Sequence, residues 1–172
     1  MKSLQSNDFE LFGLPQQFAL NRAQLDELWK ALQREAHPDR FAAEGAAAQR
    51  VAMQWSVRIN EAYQRLKEPL KRAAYLCELH GAPIRAEDNT AMPAAFLMQQ
   101  MTWREALDDA QSTEDLEHIL AEVHASMKDA LQTCERLLDQ DHDYLQAAAQ
   151  VRALMFIDKF TKDIDAHFDR LG

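Results

Sequence analysis

Apolar residues recur at spacings of three and four along most of the chain, and no long stretch alternates apolar and polar positions. Spacings of three and four are typical of amphipathic α-helices, whereas strict alternation would indicate strands. The pattern therefore predicts an all-α protein. Residues 80–93 break it with a glycine, two prolines and several polar side chains. We predict a first domain over residues 1–79, a linker over 80–92 and a second domain over 93–172.

In the first domain, two long amphipathic helices are predicted with a loop between them. Asn21 begins a capping-box pattern, and the helix that follows it should end near His37, because Pro38 disfavours helical geometry in the preceding residue. The residues HPDR, 37–40, are therefore predicted to form a loop. The segment DFELFGLP, 8–15, should cover the open side of this helical hairpin. The apolar face of the second helix comprises Val51, Trp55, Ile59, Ala62, Tyr63 and Leu66.

The rest of the chain is predicted to form one short helix and three long ones. The short helix should begin at Pro69 and be closed by Gly81, which suits the left-handed position after a helix. The long helices should run from about Pro93 to Asp109, from about Ser112 to Gln140, and from about Asp143 to Leu171. Their apolar stripes favour a three-helix bundle with antiparallel neighbours.

The first of these three long helices has two apolar faces when it is wound at about 100° per residue. One face comprises Phe96, Trp103 and Leu107, and the other comprises Leu97, Met98 and Met101. A three-helix bundle buries one such face, so the second suits either a protein partner or packing against the first domain. Phe156, at the rim of the core stripe of the last helix, could join that second face or belong to the core.

Composition and charge narrow the classes of function. The chain has 172 residues, 47% of them hydrophobic and 27% charged, with 4 glycines and 5 prolines, as expected of a globular protein. Residues 1–80 hold 11 Lys and Arg against 10 Asp and Glu, whereas residues 81–172 hold 8 against 18. The acidic second half argues against nucleic-acid binding. Without an apolar run of about 18 residues or a secretory signal, we expect a cytoplasmic protein that does not bind membranes.

The reactive residue types do not form a recognisable catalytic or metal-binding pattern. Cys77 and Cys134 are far apart in apolar helical patterns, so both should be buried and reduced. No GxSxG motif or glycine-rich loop accompanies His37, which argues against an enzyme. The fragment Asp115-x-x-His118 is not repeated on a second helix, which argues against a di-iron site. We predict no catalytic residue, metal ligand or cofactor.

The residues around HPD, and further segments of the chain, resemble a known family. LDELWKALQREAHPDRF followed by INEAYQRLKEPLKRAAYLCELHG looks like a J domain, in which the tripeptide HPD lies between two long helices. DFELFGLP, RAAYLCELHG, AFLMQQMTWREAL and VRALMFIDKF, in this order, are similar to the HscB family, the J-domain co-chaperones of iron–sulfur cluster biogenesis. The resemblance covers nearly the whole chain.

The resemblance implies a protein with no active site of its own, whose J domain stimulates ATP hydrolysis by the DnaK-type chaperone HscA. Its second domain would bind the scaffold protein IscU. The residues that would contact the chaperone are His37, Pro38, Asp39, Arg40, Lys30 and Arg34. The positions that contact IscU in the family map onto Leu97, Met98, Met101, Thr102, Glu105 and Phe156.

The sequence departs from the family pattern at two positions, and two other functions remain as alternatives. Thr102 stands at a position usually acidic in the family, which puts a charged contact there in doubt, and Arg40 replaces the commoner lysine after HPD. The runner-up function is a J protein that delivers another client to a general DnaK-type chaperone. An enzyme or a metal carrier is the third.

Overall fold

The structure, a computed structural model, describes residues 2–171, which form two compact units that divide between Tyr75 and Leu76. The regular structure of the described residues is entirely helical, so the predicted all-α fold is confirmed. A 3₁₀ helix, Pro38–Glu44, lies between α2 and α3, and a π-helical turn, Arg136–Gln140, follows α6. The α-helices are α1 (Asp8–Phe12), α2 (Arg22–Ala36), α3 (Ala46–Lys67), α4 (Pro69–Leu79), α5 (Ala94–Asp109), α6 (Thr113–Glu135) and α7 (Tyr144–Leu171).

The first unit is built on the hairpin of α2 and α3, with α1 packed against it. The predicted cap is present, since Asn21 Oδ1 accepts a hydrogen bond from the Gln24 backbone N–H at 3.1 Å. Phe9 and Leu11 of α1 are each 1% exposed, as expected for a segment that covers the hairpin. The core side chains include Phe9, Leu11, Phe12, Leu25, Ile59 and Leu66.

A buried ion-pair network ties the start of the chain to α3. The carboxylate of Asp8 is fully buried and lies 2.8 Å from Arg58 Nη2 and 3.1 Å from Arg65 Nε. Arg58 also donates to the backbone oxygen of Ser6 at 2.8 Å. The Asp8 backbone N–H donates to the hydroxyl of Tyr75, whose pKa is raised chiefly by burial. These bonds fix the entry of the chain into α1.

The second unit contains the predicted three-helix bundle of α5, α6 and α7. Its core joins one side of each helix, and the members include Phe96, Trp103, Leu107, Leu116, Ile119, Val123, Ile157, Phe160 and Ile164. Cys77 and Cys134 are free and buried, as predicted. Burial raises the pKa of Cys77 to about 11 and that of Cys134 to about 12.

The segment that follows α4 packs as part of the second unit. Gly81 has a φ of 76°, and the Ala82 N–H donates to the Cys77 oxygen at 2.8 Å, which closes the end of α4 as predicted. Arg152 of α7 is buried, and its guanidinium donates to the backbone oxygens of Ile84 and Ala91, each at 2.9 Å. These contacts place residues 80–92, which the sequence analysis treated as a linker, within the second unit.

Three local predictions are wrong. HPDR was expected to be a loop, but Pro38 begins the 3₁₀ helix, because its fixed φ suits a first helical position. Val51 is 50% exposed, and Ala52 is the buried residue at the start of α3, where Val51 lines an open cavity instead. The apolar stripe of the last predicted helix extends to Leu171 in the sequence, but Leu171 is 42% exposed at the end of α7. Within residues 2–171, no helix is both long enough and apolar enough to cross a membrane.

Candidate functional site

The HPD turn (His37, Pro38 and Asp39) connects α2 to the 3₁₀ helix. His37 ends α2 in an extended conformation, with a ψ of 128°, because the proline that follows disfavours helical geometry. The Asp39 N–H donates to His37 Nδ1 at 3.2 Å, and the Arg40 N–H donates to the His37 oxygen at 3.0 Å. The imidazole therefore caps the helix that the proline begins.

The HPD turn presents its polar groups to solvent. The side chain of His37 is 58% exposed and that of Asp39 is 92% exposed. Since His37 Nδ1 accepts a hydrogen bond, the proton of the neutral imidazole is on Nε2. The turn thus offers one N–H donor and one carboxylate to a partner. Such an arrangement is suited to recognition by another protein.

Three cations predicted to accompany HPD lie in the second half of α2 and in the 3₁₀ helix that follows it. Lys30 and Arg34 are one helical turn apart, and both are exposed. The Arg40 guanidinium donates to the Arg34 backbone oxygen at 3.3 Å, which brings its charge back to the end of α2. Lys30 Nζ lies 3.7 Å from Glu27 Oε1, a surface pair that is weak enough to exchange partners.

The two-faced character predicted for α5 is confirmed. Phe96, Trp103 and Leu107 are buried in the core of the second unit. The outer face of α5 (Leu97, Met98 and Met101) is 40%, 74% and 65% exposed, respectively. Large apolar side chains clustered at these exposures are typical of a protein-binding surface.

Phe156 belongs partly to the core and partly to the surface. It is half-buried, with its ring edge-on to Phe96 at 5.8 Å and stacked on Phe160 at 6.3 Å. The exposed part of Phe156 borders a cavity of about 370 Å³ between α5 and α7. We call this cavity the Phe156 pocket, and its lining residues are Gln100, Met101, Arg104, Glu105 and Phe156.

The structure brings together some of the six residues that the resemblance assigns to IscU contact and leaves others apart. Met101, Glu105 and Phe156 share the Phe156 pocket. Leu97 and Met98 are on the outer face of α5, outside the pocket lining. Thr102 is exposed, and its hydroxyl donates to the Met98 backbone oxygen at 3.4 Å.

Sequence reasoning missed two polar residues of the Phe156 pocket and a cavity beside the HPD turn. Gln100 and Arg104 are one helical turn apart on α5, beside Met101 and Glu105, but as polar residues they give no signal in the apolar pattern of the helix. The second cavity, of about 550 Å³, lies among the 3₁₀ helix, α2 and α3. Its apolar walls include Leu32, Phe41, Val51 and Trp55.

Comparisons with known proteins agree with these features. Residues 92–165 match the family described as the HSCB C-terminal oligomerisation domain. The co-chaperone protein HscB homolog of Burkholderia multivorans is 50% identical over 175 residues, with 99% of each chain covered. The corresponding homolog of Burkholderia thailandensis is 49% identical over 174 residues, also with 99% of each chain covered.

Two solved structures share the fold. The chaperone HscB from Vibrio cholerae has a TM-score of 0.79 and 37% identity, and the match covers 97% of this chain and 100% of that one. Human co-chaperone protein HscB has a TM-score of 0.86 and 26% identity, with 96% of this chain and 84% of the human chain covered.

A helical hairpin with an exposed HPD turn, followed by a three-helix unit with an outward apolar face, defines a J-domain co-chaperone. Within that class of co-chaperones, identity of about half the residues over 99% of the chain shows which family this protein belongs to. The chain belongs to the HscB family of co-chaperones.

Proposed function

We propose that this co-chaperone acts in iron–sulfur cluster assembly, where it delivers the scaffold IscU to the chaperone HscA and stimulates HscA to hydrolyse ATP. The observation that carries the proposal is that two exposed surfaces of different chemistry occur on different units. The HPD turn and its cations belong to the first unit, and the outer face of α5 belongs to the second. Two such surfaces suit a protein that links two partners.

The chaperone side would act through charge and turn geometry. His37, Pro38 and Asp39 form the contact that triggers hydrolysis, with the Asp39 carboxylate available to a cation of the chaperone. Lys30, Arg34 and Arg40 would dock on an acidic chaperone surface, because opposite charges speed association and fix its orientation. Residues 1–80 carry nearly equal numbers of acidic and basic side chains. The electrostatic attraction to the chaperone would therefore come from these three cations rather than from the net charge of the unit.

The client side would act through apolar contact. Leu97, Met98, Met101 and Phe156 supply exposed apolar area, and methionine adapts well to irregular partner surfaces. Glu105 adds a charge at the edge of this area. The Thr102 hydroxyl is bonded to its own helix, so we expect this residue to contribute little. We place the protein in the cytoplasm, with these two proteins rather than nucleic acid or membranes as its partners.

The test is an ATPase assay of HscA with the full chain, combined with calorimetric titration of the full chain with IscU. The unmodified protein should bind IscU and stimulate HscA. His37→Gln should bind IscU equally well and give no stimulation, because an exposed side chain is lost without opening the core. His118→Gln is the matched control, since His118 is 79% exposed on α6.

Two outcomes would contradict the proposal. Stimulation by His37→Gln equal to that of the unmodified protein would remove the role of the HPD turn. Stimulation of a general DnaK-type chaperone, without binding to IscU, would show that the client is another protein.

A further inference from the structure

Side chains from two other elements bind the carbonyl end of α2. The last carbonyl groups of an α-helix have no partner within the helix, and a left-handed residue that follows commonly helps to bond them. His37, which ends α2, is extended instead. Arg40 Nη1 donates to the Arg34 backbone oxygen at 3.3 Å, and Ser56 Oγ donates to the Ala36 backbone oxygen at 3.5 Å. The end of α2 is therefore held by the 3₁₀ helix and by α3.

Gln33 of α2 and Ser56 of α3 bond in both directions across the helical hairpin. Gln33 Nε2 donates to the Ser56 backbone oxygen at 3.3 Å, while the Ser56 hydroxyl donates back to Ala36. Gln33 and Ala36 are three residues apart, so they lie on the same face of α2. Both bonds are partly buried, which limits competition from water. We call these two residues the Gln33–Ser56 pair.

Position 56 belongs to the apolar side of α3, yet it holds a serine. Ala52, four residues before it, is 4% exposed, and Ile59, three residues after it, is 2% exposed. Side chains at these spacings share one face of a helix. Burying a hydroxyl there is unfavourable unless the hydroxyl is bonded. Ser56 satisfies its hydroxyl on Ala36, the residue directly before the HPD turn, so it ties the start of that turn to α3.

The HPD turn needs such an anchor because its own bonds fix only its shape. The Asp39 N–H donates to His37 Nδ1, so these two residues move together. Ala36 joins them to α2, which carries Lys30 and Arg34. A displacement of Ala36 would therefore shift the whole turn relative to those two cations. Small errors in the placement of interacting groups lower reaction rates strongly.

We propose that Gln33 and Ser56 are positioning residues for the HPD turn, and that their bonds across the hairpin aim His37 and Asp39 at the chaperone. This inference rests on the chaperone-stimulating function proposed above and adds two half-buried residues that need not touch the chaperone. Losing either bond leaves the exposed cations of α2 unchanged. The loss should therefore reduce the response of the chaperone rather than its affinity for this protein.

The first experiment measures HscA ATPase activity over a range of concentrations of full-length variants. Ser56→Ala and Gln33→Met should each lower the maximal stimulation about fivefold, the effect of losing one hydrogen bond. The concentration that gives half-maximal stimulation should stay the same, because Lys30 and Arg34 still dock. Ser56→Thr keeps the hydroxyl and should restore the stimulation.

The two parameters separate positioning from stability. A variant that merely unfolds more readily has fewer active molecules, so its half-maximal concentration rises and saturating protein still gives full stimulation. Ser126→Ala is the matched control, since Ser126 is also half-buried and its hydroxyl bonds Gln99 Oε1 at 3.3 Å in the second unit. It should change neither parameter. Full maximal stimulation by Ser56→Ala and Gln33→Met would overturn the proposal.

NMR tests the positioning without any chaperone. The Asp39 and Arg40 amides both donate to His37, so their signals report the geometry of the turn. Ser56→Ala and Gln33→Met should shift both signals, and Ser126→Ala should shift neither. If the signals shift while the unmodified chain fails to stimulate HscA, the positioning stands and the proposed function falls. Unshifted signals in Ser56→Ala and Gln33→Met would overturn the positioning whatever the ATPase assay gives.

Discussion

Asp8 holds a fully buried carboxylate at the start of α1, between the guanidinium groups of Arg58 and Arg65. Buried charges are tolerated when they are paired, and removing one partner leaves the others desolvated and uncompensated. The apolar residues of DFELFGLP predict that this segment covers the hairpin, but they do not reveal the role of Asp8. Helical spacing shows which side chains share a face of one helix, but the partners of Asp8 come from α3, far along the chain.

Asp8→Asn should lower the free energy of unfolding by about 3–5 kcal/mol, because it leaves two arginines without their shared carboxylate. Urea denaturation followed by circular dichroism measures this. Glu61→Gln is the control, since Glu61 pairs with the same two arginines but is largely exposed, and should cost about 1 kcal/mol or less. If both variants lost equal stability, burial of the Asp8 network would not matter.

The two buried thiols predict a pH dependence in the alkaline range. Burial raises the pKa of Cys77 to about 11 and that of Cys134 to about 12, from an ordinary value of 9.0. Unfolded thiols therefore ionise first, and the free energy of unfolding should fall as pH rises from about 9 through 12. Thiolate absorbance should stay absent from the native protein at pH 9 and appear on unfolding. A native thiolate signal near pH 9 would contradict the burial of both residues.

At the scale of the element, the two apolar faces predicted for α5 are present in the structure. Its two faces follow from the period of a single helix, which is a local property of the sequence. The position of Phe156 could not be settled in the same way, because it depends on how α7 is rotated against α5. The Phe156 pocket depends on the same rotation, so it became visible only in the structure.

The outer face of α5 and Phe156 should respond differently to truncation. Leu97→Ala with Met101→Ala should weaken IscU binding by several kcal/mol and leave the melting temperature nearly unchanged, because both side chains are exposed. Phe156→Ala should weaken binding and also lower the melting temperature, since its ring packs on Phe96 and Phe160. Calorimetric titration and thermal melts measure the two effects. A large loss of stability in the double variant would show that the outer face packs within the protein.

The connection between α2 and α3 shows where sequence reasoning about an element stops. Pro38 correctly predicted the end of α2, because the residue before a proline avoids helical geometry. The same proline is well suited to begin a helix, and His37 Nδ1 caps the new one. Whether a short helix or an open loop follows depends on that side-chain bond, and the sequence pattern does not reveal it.

At the scale of the whole molecule, the division of the chain falls inside α4 rather than after it. Composition suggested a boundary in residues 80–92, because glycine, proline and polar residues are common in linkers. Ala82 and Ile84 are nevertheless 4% exposed, and Arg152 bonds two backbone oxygens of the segment. A single buried arginine, distant in sequence, thus makes a linker-like composition part of a folded unit.

This division predicts where a stable second-unit fragment begins. Residues 76–172 should fold with a single melting transition, whereas residues 93–172 should melt about 10 °C lower or more. The shorter fragment lacks the Ile84 and Ala91 oxygens and leaves the buried Arg152 guanidinium without these acceptors. Differential scanning calorimetry of the two fragments checks this. Equal melting temperatures would show that the segment adds nothing to the fold.

The two hydrogen bonds of Arg152 also fix the distance between two points along the chain. One guanidinium reaches both Ile84 and Ala91, so the path between their carbonyls has a fixed span, and residues 85–90, all exposed, bulge out from it. Added residues can lengthen the bulge without moving either carbonyl, whereas a deletion there shortens the path that the arginine requires. Homologous chains should therefore vary in length within this bulge by insertion more readily than by deletion, and a reporter peptide inserted there should leave both units intact.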